Sequence, residues 1–475
     1  MHARLRTTGL VLLLLTVAGW QPSTEPASSA KPAEAQSAAP SPSRSIDDDL
    51  LKSRAVDAVL WSMPAVNYEL MRQQMLTKTK GKVGDVIYWG KPLDWHNQTL
   101  TPNPDTMYFM TFFDLREGPI VLDFPPANGG SLNANTVTGW QMPLEDAGLL
   151  GIDKGKGVKL LILPPGWKGT PPAGYLPVQS DTLGGYSLWR SSLKSHADAD
   201  VAAAVDYAKR VKVYPLSQAS NPPATNFIDV NGIDFDSTIQ YDASYFDHLN
   251  QFVQDNPWID RDRVMIDRLA TLGIVKGKPF NPDAKTREVF DAAARDAHTL
   301  IEAKYDKGWE PFFANTQWRP AAEAAFVKSG SSGYAQPDEY PIDSRGMTYS
   351  YGYVGIKRLG ACQFYLLAIK DKVGNALDGS KTYRLHVPPN VPVKQYWSVT
   401  VYDRETHALV RNMSRASRAS NNSEVQKNAD GSVDIYFGPS APDGKEGNWV
   451  QTDPKRQFEL MFRLYGPTPA TTDRP

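Results

Sequence analysis

The sequence predicts a mainly β chain with a helical connector, an α+β protein whose two β domains are antiparallel sandwiches or barrels joined by a helical segment. Three observations carry this. Residues 83–192 and 384–465 consist of short β-branched and aromatic runs cut by Gly, Pro and Asp-Gly punctuation. Between them, from Ala197 to Phe326, apolar residues recur at three- and four-residue intervals. At 475 residues the chain also exceeds a single core, which stops growing near ~300 residues.

Residues 1–19 read as a signal peptide. His2, Arg4 and Arg6 supply the basic start, and Leu10 to Ala18 form an apolar run shorter than the ~20 residues a spanning helix needs. Thr16-Val17-Ala18-Gly19 has the shape of a lipoprotein box, but Trp20 stands where the lipidated Cys belongs. The expected product is therefore exported and soluble, periplasmic or extracellular, with no transmembrane segment in the mature chain. Residues 20–44 are rich in Pro, Ser and Ala, too poor in apolar side chains to order, and read as a flexible tether.

An N-terminal helix plus β domain is expected over 45–195. Its helix, Ile46 to about Thr77, carries Leu50, Leu51, Ala55, Ala58, Val59 and Met63 at helical spacing, with Pro64 expected to kink or interrupt it. Strands follow at Val86–Trp89, Met107–Phe113, Ile120–Phe124 and Lys159–Leu163. Residues 196–335 are expected as a helical connector, with helices near 202–211, 244–253, 261–272 and 286–305. A C-terminal β-sandwich domain is expected over 336–475, with strands Tyr396–Tyr402, Val433–Phe437 and Phe458–Tyr465 and a tight hairpin turn at Ala429-Asp430-Gly431-Ser432.

Composition excludes several functions. Lys plus Arg (51) nearly cancels Asp plus Glu (52), leaving no single-signed field for nucleic acid. One cysteine, Cys362, forbids an intrachain disulfide and reads as a small residue of an apolar run. Seven scattered histidines offer no zinc spacing, and Asp229 to Asp236 resembles a calcium loop without its final Glu, so no metal is expected. No nucleotide fingerprint, phosphate loop or nucleophile elbow occurs, and no cofactor is expected.

Two stretches resemble known families. Pro102-Asn103-Pro104-Asp105-Thr106-Met107-Tyr108, Asp114-Leu115 and Gly118-Pro119-Ile120-Val121-Leu122 resemble domain of unknown function 1254. Leu377-Asp378-Gly379-Ser380-Lys381-Thr382-Tyr383, Pro388-Pro389, Tyr396 to Asp403, Asp430-Gly431-Ser432 and Asn448-Trp449 resemble its companion, domain of unknown function 1214. The resemblance implies a pair of jelly-roll-like β domains and frequently a homo-oligomer. It implies no agreed reaction, cofactor or catalytic residue.

Two constellations are candidate sites. Asn103, Asp105 and Tyr108, with Trp140 and Gln141 from a later strand, suit a polar-aromatic pocket, although Asn103 to Thr106 also suffices as a rigid turn. Trp397, Asp403, Arg415, Arg418, Asn448, Trp449 and Arg463 suit the clamping of a carboxylate or sugar, because guanidinium forks bond planar oxygens and indoles stack on ring faces. The plainer reading of these is an Asp–Arg pair pinning loops over packed tryptophans. The expected function is an envelope protein binding a small polar or saccharide-like ligand. One alternative is a hydrolase or lyase using paired carboxylates, with Asp105 and Asp403 the catalytic candidates and Asp114 and Asp146 in reserve. A structural, oligomeric envelope protein is the other.

Overall fold

The computed structural model describes residues 48–353, 355–358 and 363–468. The expected signal peptide and tether, and Cys362, lie outside the described residues. The described chain is mostly β with seven α-helices among the described residues: α1 (Asp48–Lys78), α2 (Asp198–Ala208), α3 (Ser244–Asp255), α4 (Arg263–Thr271), α5 (Ala284–Lys307), α6 (Ala324–Ser331) and α7 (Ile342–Tyr351). None of the helices is long and apolar enough to cross a membrane.

Helix α1 is the axis of the fold. Asp48 and Asp49 in its first turn and Lys78 in its last suit the helix dipole. Every residue from Trp61 to Met71 is buried, so this stretch has no solvent face and no amphipathic stripe. The interruption expected at Pro64 does not occur; the helix runs unbroken through it. Proline removes the N–H that would bond the Leu60 carbonyl. That oxygen instead faces Gly346 of α7, where a Cβ would lie only 2.6 Å from it. The carbonyl of Pro64 accepts from Gln141 Nε2 at 2.9 Å.

A six-stranded sheet packs beside α1, in the order Phe227–Asp229, Val86–Tyr88, Met107–Asp114, Gly184–Ser191, Leu132–Thr138, Pro143–Gly148. Both its faces are buried. Phe109, Phe113 and Trp189 on one face join Leu122, Phe124, Leu160 and Ile162 of a four-stranded sheet (Lys212–Pro215, Ile120–Phe124, Val158–Leu163, Leu176–Gln179). Met110, Phe112, Tyr186 and Leu188 on the other join Tyr68 of α1 and Phe252 of α3.

The C-terminal part holds a five-stranded sheet, ordered Arg319–Pro320, Gln363–Ala368, Phe458–Tyr465, Trp397–Asp403, Ser417–Ala419, and a three-stranded one, Tyr383–Val387, Val433–Gly438, Trp449–Gln451. In the five-stranded sheet the period of two separates an apolar from a mainly polar face, on which Met461 also lies. Trp397, Val399, Val401, Leu460, Phe462 and Leu464 form the apolar face. Ser398, Thr400, Tyr402, Glu459, Arg463 and Tyr465 fall on the other, also buried, beside Tyr365 of the next strand.

Three expectations need correction. The sheets are mixed, not purely antiparallel: Val86–Tyr88 pairs parallel with Phe227–Asp229, Asn97–Gln98 with Phe235–Asp236, Val158–Leu163 with Leu176–Gln179, and Val433–Gly438 with Trp449–Gln451. Parallel pairing demands a long crossover rather than a tight turn. Residues 196–335 contain helices near all four predicted positions but also the strands 212–215, 227–229 and 235–236, which complete the sheets of the N-terminal part. Asp430-Gly431 makes a turn, with Gly431 at φ 85, but not a hairpin. Asp430 Oδ1 accepts from the Ser432 N–H, and the strand that follows pairs with Tyr383–Val387 and not with the chain just before the turn.

Candidate functional site

The chemistry gathers where the polar face of the five-stranded sheet meets one end of the six-stranded sheet. Each sheet places an arginine on an inner strand beside a tyrosine across the ladder: Arg190 opposite Tyr108, and Arg463 opposite Tyr365. Both guanidinium groups lie over the partner ring, 5.4 Å from the Tyr108 centroid and 5.2 Å from that of Tyr365. Cross-strand pairing makes this contact automatic once the register is set.

The segment Thr101 to Asp105 threads between the two sheets. Asn103 donates from Nδ2 to Tyr465 Oη at 2.7 Å, and its backbone N–H reaches Tyr108 Oη at 3.1 Å. Arg463 donates from Nη2 to the Thr101 carbonyl at 2.8 Å and to Tyr402 Oη at 2.6 Å, and from Nη1 to Thr400 Oγ1 at 3.0 Å. Arg190 donates from Nη1 to Asn135 Oδ1 at 2.7 Å and from Nε to Tyr108 Oη at 3.4 Å. Tyr396 stacks on Tyr465 at 4.6 Å. Tyr365 and Tyr465 hydroxyls lie 3.2 Å apart.

Charge balance is the telling feature. Arg190 and Arg463 are 7% and 2% exposed, yet among the described residues no carboxylate oxygen lies within the 4.0 Å ion-pair distance of either. Buried charges are ordinarily paired. Asp105 turns to His196 Nε2 at 3.4 Å and Ser417 Oγ at 3.0 Å, and burial, opposed by His196, raises its carboxyl above the ordinary value. Nearby, Arg463 Nε, Asn133 Oδ1 and Gln363 Oε1 are buried without a protein partner among the described residues. Burial drives the phenols of Tyr353, Tyr365, Tyr396 and Tyr465 upward. Tyr108 moves the other way: burial acts to raise it, but Arg190 and then Arg463 outweigh burial and hold it below the usual tyrosine value.

The family model described as "Protein of unknown function (DUF1254)" matches residues 84–215, and that of "Protein of unknown function (DUF1214)" matches residues 362–469. The chain belongs to the family that joins these two domains. In this DUF1254–DUF1214 protein neither domain holds the cluster alone. Asn103, Asp105, Tyr108 and Arg190 come from the first; Tyr365, Arg463 and Tyr465 come from the second.

The crystal structure of the VPA0106 protein from Vibrio parahaemolyticus is similar, with a TM-score of 0.56 and 18% identity, covering 88% of this chain and 96% of that one. An uncharacterized protein from Burkholderia cenocepacia aligns over 88% of this chain and 92% of its own, at 14% identity and a TM-score of 0.39. At 18% identity the likeness to the Vibrio parahaemolyticus protein speaks to fold alone. No curated protein matches the chain.

The other predicted residues of this DUF1254–DUF1214 chain lie outside the cluster. Trp140 packs between Trp61 (4.6 Å) and Phe252 (4.9 Å) in the helical core. Gln141, at φ 56, ties Tyr186 to the Pro64 carbonyl of α1. Trp397 stacks on Phe462 at 5.5 Å. Arg415 and Arg418 both bond Glu424 and the Glu446 carbonyl, Asn448 bridges Gln426 and Asp434, and Trp449 Nε1 donates to the Gly438 carbonyl, so these four hold loops together.

The carboxylates are each engaged separately. Asp403 accepts from Arg456 and from the N–H groups of Glu405 and Thr406 in its own turn; Asp114 pairs with Arg116; Asp146 accepts from Asn135 and the Arg358 N–H. Asp229, of the calcium-like stretch, serves a turn by accepting from the N–H groups of Gly90 and Asn231. Two open hollows, of about 720 Å³ beside Lys209 and Lys212 and about 640 Å³ beside Trp318 and Tyr383, include neither buried arginine.

Sequence reasoning missed Arg190, Tyr365, Tyr396 and Tyr465. One signal was available for Arg190. It occupies a core-facing position of the strand Gly184–Ser191, in phase with Tyr186 and Leu188, where a cation is out of place without a partner.

Proposed function

We propose that this DUF1254–DUF1214 protein is an exported envelope protein that binds a small carboxylate-bearing ligand, of the class of a uronate or other acidic saccharide, between its two β parts, which we read as jelly-roll-like sandwiches. One observation carries the reading: two buried guanidinium groups, one from each domain, lie over tyrosines where the two parts meet, with no carboxylate oxygen within 4.0 Å of either among the described residues. Guanidinium forks match planar carboxylates, and desolvated charge-assisted bonds are the strong ones. The surrounding phenols and the unpartnered Asn133 and Gln363 oxygens suit ligand hydroxyls, which donate as well as accept. Export is supported by the basic start and short apolar run of residues 1–19.

A thermal-shift series tests the binding reading. Glucuronate and galacturonate should raise the melting temperature, and glucose at equal concentration should not. Arg463→Gln and Arg190→Gln should each abolish the shift. Equal effects of neutral and acidic sugars would count against an anion site.

A further inference from the structure

The oxygen of Tyr108 sits in a nest of donors. Asn103 presents its backbone N–H at 3.1 Å and Arg190 its Nε–H at 3.4 Å, and the hydroxyl of Tyr353 faces the same oxygen. A neutral phenol accepts two bonds and donates one. An oxygen that accepts from two N–H groups, one of them a guanidinium, is in the environment that stabilises an oxyanion. Around it stand two guanidinium groups with no carboxylate in ion-pair reach among the described residues.

We propose that Tyr108 is the proton-exchanging residue of this site: its phenolate is the internal counter-ion of Arg190 and Arg463, and a carboxylate that binds there displaces that charge by driving a proton onto the phenol. The inference rests on the anion-binding reading above and deepens it. The balance is simple. A phenolate, a proton from solvent and a bound carboxylate become a phenol beside the carboxylate, with one proton taken up per anion and no electron transferred. Binding therefore weakens as pH rises through the titration of Tyr108, because hydroxide then competes for the proton that binding requires.

The charged and titratable groups facing Tyr108 come from three directions. Arg190 lies on its own sheet, and Asp105 with His196 on the threading side. Arg463, with Tyr402, Tyr365 and Tyr465, comes from the five-stranded sheet, and Tyr353 from beyond α7. The four phenols are driven upward by burial, opposite to Tyr108. Arginine does not deprotonate. Tyr108 is thus the phenol of this group, held below its ordinary value by the two arginines, that exchanges a proton first.

The test is a carbon-13 NMR titration of the full chain labelled at tyrosine Cζ. One resonance should titrate below free tyrosine, near ~10, and vanish in Tyr108→Phe. Should that variant not fold, Arg190→Gln, which removes one donor and its charge, should move the same resonance upward. No tyrosine titrating below the free value, or a low-titrating one that ignores both variants, would overturn the proposal. Calorimetry with glucuronate in buffers of different ionisation enthalpy separates the two claims. At a pH above the observed Tyr108 titration, uptake of a proton in the wild type and none in Tyr108→Phe is expected. Binding without proton uptake sinks the Tyr108 proposal and spares the site, whereas no binding with a depressed Tyr108 sinks the site and spares the phenolate.

Discussion

The sharpest stability prediction concerns His407, which is buried between two glutamates. Its Nδ1 lies 3.1 Å from Glu459 Oε1 and its Nε2 3.4 Å from Glu302 Oε1. Burial alone works to lower the imidazole, but Glu459 and Glu302 outweigh it and bring the pKa to about 9. The same contact, with Arg404, draws Glu302 down to about 2 against the opposing pull of burial. These two shifts describe one interaction and are not summed.

A folded pKa of about 9 against ~6.5 unfolded means stabilisation that is complete below pH ~6.5 and lost as pH rises through 9. At ~1.4 kcal/mol per unit this is about 3 kcal/mol. Over a unit of residues 46–475, with unfolding entropy of ~2.1 cal/mol/K per residue, it amounts to about 3–4 °C. Denaturant unfolding at pH 6 and pH 10 measures it. His407→Asn tolerates the left-handed backbone at this position (φ 54) and should erase most of the pH difference. An undiminished pH difference in that variant would refute the reasoning.

Three further outcomes are expected. Gly346→Ala should cost about 2 kcal/mol or more in denaturant unfolding, because its Cβ meets the Leu60 carbonyl of a buried helix with no room to shift. Arg190→Met and Arg463→Met should each cost about 2 kcal/mol or more in denaturant unfolding, since each leaves buried acceptors (Asn135 Oδ1 for Arg190; the Thr101 carbonyl and Thr400 Oγ1 for Arg463) without their donor, while the shift with glucuronate disappears; unchanged stability in both would mean that these bonds contribute nothing to the fold. The protein should partition into the aqueous phase of a detergent separation, and Trp20→Cys should move it to the detergent phase; acylation of the unaltered chain would contradict that reading.

The fold was legible where pattern and environment agree. Ile120–Phe124, Val158–Leu163 and Phe458–Tyr465 are apolar runs of strand length, and α3 and α5 keep one wet face. Leu132–Thr138 was harder: every residue is buried, yet Asn133, Asn135, Thr136 and Thr138 break any apolar alternation, because its inward polar groups serve the arginine cluster and the adjoining ladder. Pro64 misled for a reason outside its own segment, since the glycine that receives the freed carbonyl lies in α7. Short strands such as Phe227–Asp229 carry too few residues for a period and exist because a sheet edge accepts them.

The candidate site was half legible for a related reason. Asn103, Asp105, Tyr108 and Arg463 stand out locally, but assigning them to two separate constellations hid their meeting. What joins them is tertiary. The Arg463 bond to the Thr101 carbonyl and the Asn103 bond to Tyr465 each span 362 positions. The tryptophans drew notice by type, whereas the working aromatics are tyrosines, whose hydroxyls can answer a buried charge.

The central claim, that Arg190 and Arg463 form an anion site, is tested most directly by isothermal titration of glucuronate into wild type, Arg190→Gln and Arg463→Gln at pH 7. The account predicts one saturable site per chain in the wild type and at least a tenfold loss of affinity in each variant, corresponding to ~1.4 kcal/mol or more per lost charge-assisted contact. Equal binding by all three proteins would contradict it.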